Sequence, residues 1–337
     1  MKITISEILK GCTPGKMQSA GYMQVIPLLS DPELIDNRFG PFSGLVSSTV
    51  SYGTLIVQNR TDKHTILPMC AGILTKTAAQ NHGVGKAVFV AKNNKSVMTH
   101  AACLQSSQPG AISPDVHEIT IMPYSMRSEA LNIKDVKDFR KMWPAIANFN
   151  RTAGITKSEA HLEYYLDQFG DKLDEFIGQF EIVKNQVGAI ILLNGQVAGI
   201  ERAPNYEFWK DLWKPLVREC YGSASLVFGK HGVKKSPPLG RMPINDHEVK
   251  DFASLEVEFN KAQQSEDDAV KNTIREFAKN PFKMTREENE ANGTICVDHL
   301  SGSQFTGQIV RDDDRIVYAS LIPDKNAKFN TAAQFSI

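Results

Sequence analysis

The sequence lacks most of the features that would announce a function. It has no net charge, since Lys plus Arg total 38 and Asp plus Glu total 38. That balance gives no support to dedicated nucleic-acid binding, which calls for a basic excess over the phosphates. It has no long apolar run: the most apolar stretch, residues 187–193, falls far short of the roughly 20 residues that span a bilayer. Nor does the opening stretch, MKITISEILKGC, hold the continuous apolar segment of a signal peptide. Cysteine is scarce: Cys12, Cys70, Cys103, Cys220 and Cys296 are widely spaced, odd in number and form no C-x-x-C. Scattered thiols of this kind predict a reducing, cytoplasmic setting with no disulfide framework. No nucleophile elbow, H-E-x-x-H helix or EF-hand loop occurs. What is present is ordinary globular composition, 42% hydrophobic and 23% charged over 337 residues. Length and composition predict a well-packed chain of about two domains, or one composite domain.

The hydrophobic period changes along the chain, and this predicts an α+β fold. Residues 1–126 read as a β-rich N-terminal segment, with β-branched and aromatic runs at 50–59, 64–69, 86–91, 96–104 and 119–122. The run at 64–69 is expected to pair with 50–59 across the polar turn at 60–63. Asn93-Asn94-Lys95 has a turn composition that tolerates left-handed angles. Residues 127–229 read as a helical segment with a β-hairpin. Asn132 is the expected N-cap of a helix running toward Asn150, ended or kinked at Pro144. A second helix is expected over 156–180 and a third over 206–221. Between them, apolar runs flank Asn194-Gly195, which predicts a two-residue type I′ hairpin. Residues 230–337 read as a connector loop, a short run at 255–259, a helix over 266–279, and antiparallel strands at 294–300, 305–310 and 316–321. Each segment leaves an apolar face in need of cover, so the three are expected to join in one integrated body.

Several residue groups invite a chemical reading. Gly83-Val84-Gly85-Lys86 suggests a phosphate loop, but the Walker pattern needs a Gly at position 80 and a Ser or Thr at 87, where Gln and Ala stand. A glycine-rich turn is the better reading. His100 and Cys103, with Cys70, His64 and His82, supply zinc-type donors without the paired close spacings of a zinc site, so no metal is expected. Asp312-Asp313-Asp314 reads as a solvated hairpin turn, and Lys230, His231, Lys234, Lys235 and Arg241 as a charged loop. Gln80, Asn81 and His82 are more informative. Their amides donate and accept, and an imidazole changes charge near neutral pH, a combination suited to reading a base, ribose or amide edge. Gln105 and Gln108, after the strand holding Cys103, are expected to line the same polar pocket or to face solvent.

These residues also carry a resemblance. Val25-Ile26-Pro27-Leu28-Leu29, the run at 55–59, Gly72 followed by Gln80-Asn81-His82, and Cys103-Leu104-Gln105 resemble the ARPP domain family, named for its genomic association with ADP-ribosylglycohydrolase-type and rhodanese-phosphatase proteins. The likeness continues through Gln186-Val187-Gly188-Ala189, the Asn194-Gly195 hairpin, the helix over 208–221, Thr306-Gly307 and the run at 316–323. It spans roughly residues 22 to 323. Family members often carry acids after the glycine, Lys before the Gln, Arg at the place of His82, and Gly-Arg-Trp after the Cys stretch. Here Ile73, Leu74, Ala79, His82 and Ser107-Gln108-Pro109-Gly110 stand at those places, which implies an altered version of any charged family site.

The resemblance implies a setting in bacterial or phage conflict linked to NAD and ADP-ribose. With no nucleophile–base pair, metal signature or cofactor motif, that setting implies a non-enzymatic ligand-binding or interaction protein that recognises a nucleotide- or ADP-ribose-derived molecule in defence or counter-defence. Gln80, Asn81, His82 and Gln105 are its expected contacts. Two other readings are a hydrolase of a nucleotide or ADP-ribosyl group with His82 as acid or base, and a homo-oligomeric scaffold with no ligand.

Overall fold

The computed structural model describes residues 2–75, 80–106, 117–240, 242, 248–289 and 294–325. The chain opens with β1 (Lys2–Thr4), a single-turn α1 (Ile5–Ile8), β2 (Cys12–Pro14), β3 (Gln18–Ala20) and β4 (Met23–Ser30). A capping box fixes α1: the Thr4 amide donates to the Glu7 carboxylate at 2.7 Å, and the Glu7 amide to the Thr4 hydroxyl at 3.3 Å.

The next stretch builds three small antiparallel sheets. They use β5 (Leu45–Ser51), β6 (Thr54–Asn59), β7 (Thr65–Leu67), β8 (Ala71–Thr75) and β9 (His82–Gly83). With them stand β10 (Val88–Val90), β11 (Lys95–Met98), β12 (Ala102–Cys103) and β13 (His117–Ile121). The orders are β10-β7, β11-β6-β5 and β12-β9-β8-β13. The expected pairing of 64–69 with 50–59 is therefore corrected: β7 pairs with β10, and β6 with β5 and β11. The run at 50–59 contains its own turn. Gly53, at φ 75°, reverses the chain there and folds the run into the β5–β6 hairpin.

Asn132 closes a helix rather than opening one. It is the last residue of α2 (Tyr124–Asn132), and Pro144 lies in the first turn of α3 (Trp143–Ala153). A proline at that position loses no intrahelical hydrogen bond and pre-sets φ for the helix. Gly154, left-handed at φ 76°, terminates α3. Then come α4 (Glu163–Ile177) and the hairpin β14 (Gln186–Leu193) and β15 (Gln196–Arg202). Asn194 at φ 49° and Gly195 at φ 80° give the type I′ signature that the dipeptide predicts. Helix α5 (Tyr206–Trp213), capped by Asn205, continues through a π-helical stretch (Lys214–Tyr221) into α6 (Gly222–Lys230). Pro215, the second residue of that stretch, has no N–H for the α-helical ladder.

After the connector, α7 (Phe252–Ala278) is one long helix that joins the short run expected at 255–259 to the helix expected over 266–279. The C-terminal strands are β16 (Pro281–Asn289), β17 (Ile295–Gly302), β18 (Phe305–Asp312) and β19 (Arg315–Pro323). Three of them match the expected runs. The polar β16 shows no apolar alternation and was not anticipated.

These elements meet in a ten-stranded antiparallel sheet of order β1-β16-β17-β18-β19-β15-β14-β4-β2, with β3 beside β4. The fold is α+β. Strand β14 is buried along its whole length, so it reads as a continuous apolar run. Ile191 and Leu193 join the core shared with the small sheets and α2–α6. Ile190 and Leu192 join a second core, under α1 and α7, with Val270, Phe277 and Leu300. Among the described residues, no helix is long and apolar enough to cross a membrane.

Candidate functional site

The sheet β12-β9-β8-β13 carries the polar residues singled out in the sequence. His82 lies on β9 opposite Ile73 of β8 and Cys103 of β12, and Gln80 and Asn81 lead into that strand. The Leu104 amide donates to the Asn81 carbonyl at 2.8 Å, which extends the pairing and brings Gln105 alongside. The Leu162 amide donates to the Leu104 carbonyl at 3.0 Å and so docks the start of α4 against the same strand end. Glu163, the first residue of α4, is thereby set beside Asn81 and Gln105.

The four predicted residues are all buried, at 4% exposure or less. Asn81 and Gln105 are brought together on Glu163. Asn81 Nδ2 donates to Glu163 Oε2 at 2.8 Å, and Gln105 Nε2 donates to Glu163 Oε1. Their oxygens are also engaged: Gln105 Oε1 accepts from the Asn81 amide at 2.9 Å, and Asn81 Oδ1 from the Thr75 amide at 2.8 Å. His161 Nδ1 stands 3.3 Å from Glu163 Oε1, and its ring stacks on Tyr164 at 4.7 Å between centroids. Glu163 has no Lys or Arg partner among the described residues, and its side chain is 22% exposed. The carboxylate therefore accepts from two side-chain amides, one on each oxygen, while part of it stays exposed.

Gln80 and His82 are placed beside Cys103 instead. Burial pushes the Cys103 thiol up to about 11, against smaller lowering effects of the Gly53 backbone and the Gln80 side chain. A protonated thiol of this kind is a poor nucleophile at neutral pH. His82 Nδ1 lies 2.8 Å from the Gln80 carbonyl. A carbonyl only accepts, so Nδ1 carries the proton and Nε2 is a bare acceptor. That Nε2 is buried with no partner among the described residues. Burial lowers the pKa of His82, against a smaller opposing effect of its bond to Gln80, so the ring is neutral at pH 7.

The remaining motifs resolve structurally. Gly83 is a strand residue, and a Cβ on Gly85 would lie 2.0 Å from the Ala130 carbonyl oxygen, so close packing of α2 accounts for this glycine. Lys230 Nζ donates to the Ala153 carbonyl at 2.6 Å, and His231 Nε2 lies 2.8 Å from the Thr152 carbonyl. These two basic residues cover the C-terminal carbonyls of α3. Asp312 pairs with Arg38, and Asp313 turns the last hairpin at φ 51°. Among the described residues, no group of three or more His, Cys, Asp or Glu side chains could hold a metal ion. Gln108, Ala79 and Arg241 lie outside the described residues.

The family model described as ARG and Rhodanese-Phosphatase-superfamily-associated Protein domain, ARPP-1, matches residues 11–322. The chain belongs to the ARPP-1 family. No curated protein and no solved structure matches it. The ARPP-1 match contains the whole polar cluster, including Glu163 and His161, which sequence reading missed. Glu163 is 58 positions from Gln105, and no motif joins them. Its only local signal is a carboxylate ahead of an apolar helical stripe, the usual mark of a helix start.

Proposed function

We propose that this ARPP-1 chain is a binding protein for a small nucleotide- or ADP-ribose-derived molecule, which it recognises without transforming. The reading places it in the cytoplasm, in the conflict between bacteria and phages to which the family resemblance points. The observation that carries it is Glu163: a partly exposed carboxylate oriented by Asn81 Nδ2 and Gln105 Nε2, without a Lys or Arg partner among the described residues. A carboxylate so held suits a ligand with paired hydroxyl or amine donors, as a ribose or base edge has. Gln80 and His82 stand beside Cys103 of the neighbouring strand, and the buried His82 Nε2 has no partner among the described residues. Binding is favoured over hydrolysis because burial keeps the Cys103 thiol protonated and shields His82 Nε2 from solvent. Incubation with a panel of NAD-derived and cyclic nucleotides, followed by denaturation and chromatography, tests this. The expected result is one ligand retained and released intact. A new product peak would make the protein an enzyme.

A further inference from the structure

We infer that the chain carries a second, anion-binding site at the end of the main sheet, on the face covered by α1 and α7. A cavity of about 470 Å³ opens there, lined by Lys10, Arg202, Arg311 and Arg315. Two acids, Glu7 and Asp314, also border it, so the cations outnumber the acids four to two. Ile3, Leu34, Met284 and Ile316 give the rest of the wall an apolar surface. A cavity of this size and lining fits one small ligand with an apolar body and a charged head.

Arg202 decides the charge of that head. It is only 6% exposed, yet it makes no ion pair among the described residues. Its Nη1 donates to the carbonyls of Ile8 and Lys10, the latter at 3.1 Å. The Nε and Nη2 donors are left without a partner among the described residues. Burial, and in smaller part nearby Arg315, lowers its pKa, as expected of a guanidinium short of counter-charge. The other two arginines are held in place by buried acids. Arg311 Nε donates to Asp298 at 2.8 Å, and Arg315 pairs with Asp36. Asp298 and Asp36 are 1% and 4% exposed, so each fixes its arginine from behind. Of the three arginines, Arg202 alone has no acid partner among the described residues, so it supplies unmatched positive charge. An oxyanion, phosphate or carboxylate, on an apolar body would meet the guanidiniums with paired hydrogen bonds and cover the apolar wall.

Calorimetric titration at low ionic strength with phenyl phosphate, benzoate and inorganic phosphate tests this site and separates the two kinds of head. Saturable binding of phenyl phosphate or benzoate is expected, at least roughly tenfold tighter than inorganic phosphate, because only the first two carry an apolar body. Arg202→Gln and Arg315→Gln should each weaken binding by roughly tenfold or more. Arg315→Gln leaves Asp36 paired with Arg38 at 2.7 Å, so that variant keeps its fold and decides the matter if Arg202→Gln does not. Absence of saturable binding by either aromatic anion overturns the inference. So does undiminished binding by folded Arg315→Gln.

Discussion

At the scale of single residues, burial sets the protonation of the site. His82, His117 and His299 all have their pKa lowered, with desolvation the largest cause in each. The sign follows from linkage. In the unfolded chain a histidine takes up a proton near pH 6.5, while the buried ring stays neutral to lower pH. As pH falls through that range the unfolded state binds more protons, so stability is lost on acidification. Buried Glu219 and half-buried Asp211 are pushed upward and oppose this, so the informative quantity is a difference between proteins. His82→Gln should show a shallower loss of stability than the parent between about pH 7.5 and about pH 5.5, read from urea unfolding. Parallel curves would mean that His82 is not held neutral by burial. Much of this site was legible because Gln80, Asn81 and His82 are contiguous and Gln105 closely follows the strand that holds Cys103. Glu163 was not, because a side chain contributed by a distant helix start leaves no spacing to read.

At the scale of elements, what could be read depended on whether the signal was local. The β14–β15 hairpin was legible because Asn194 and Gly195 both take the left-handed angles their turn requires. The partners of β7 and β6 were not, because alternation marks a strand without saying what it pairs with. Helix α7 shows how burial divides an element. Phe277, at 4% exposure, meets Phe305 edge-on with centroids 5.8 Å apart. Phe252, at the other end of the helix, is 90% exposed. Phe277→Ala should cost about 3–5 kcal/mol of unfolding free energy. Phe252→Gln should change it by no more than about 0.5 kcal/mol. Both are checked by chemical denaturation, and equal losses would show that the helix is not anchored at its C-terminal end.

At the scale of the whole molecule, a buried polar network runs between distant parts of the chain. Arg127 of α2, fully buried, donates to Glu201 of β15 at 2.7 Å, to Tyr221 at 2.6 Å and to Ser320 of β19 at 2.5 Å. Gly199 makes room for it, since a Cβ there would lie 1.8 Å from the Tyr221 hydroxyl. Breaking such a network leaves an uncompensated charge, so the segments it joins gain by staying together. We propose on this basis that segments 1–126, 127–229 and 230–337 fold as one unit. Limited proteolysis near residue 130 should yield no separately stable fragment, and a protected, folded half recovered by chromatography would contradict this.

The claim that Glu163 orients a nucleotide-derived ligand is tested most directly by the affinity of Glu163→Gln for whichever panel nucleotide the parent retains. The substitution removes the charge while preserving shape at a partly exposed position, so the folded state should persist with little change in its urea midpoint. Binding should weaken by roughly tenfold or more, as expected for loss of a charge-assisted hydrogen bond. Unchanged affinity in the folded variant would contradict the account and leave the cluster of Asn81, Gln105 and Glu163 as a purely structural clasp between β9, β12 and α4.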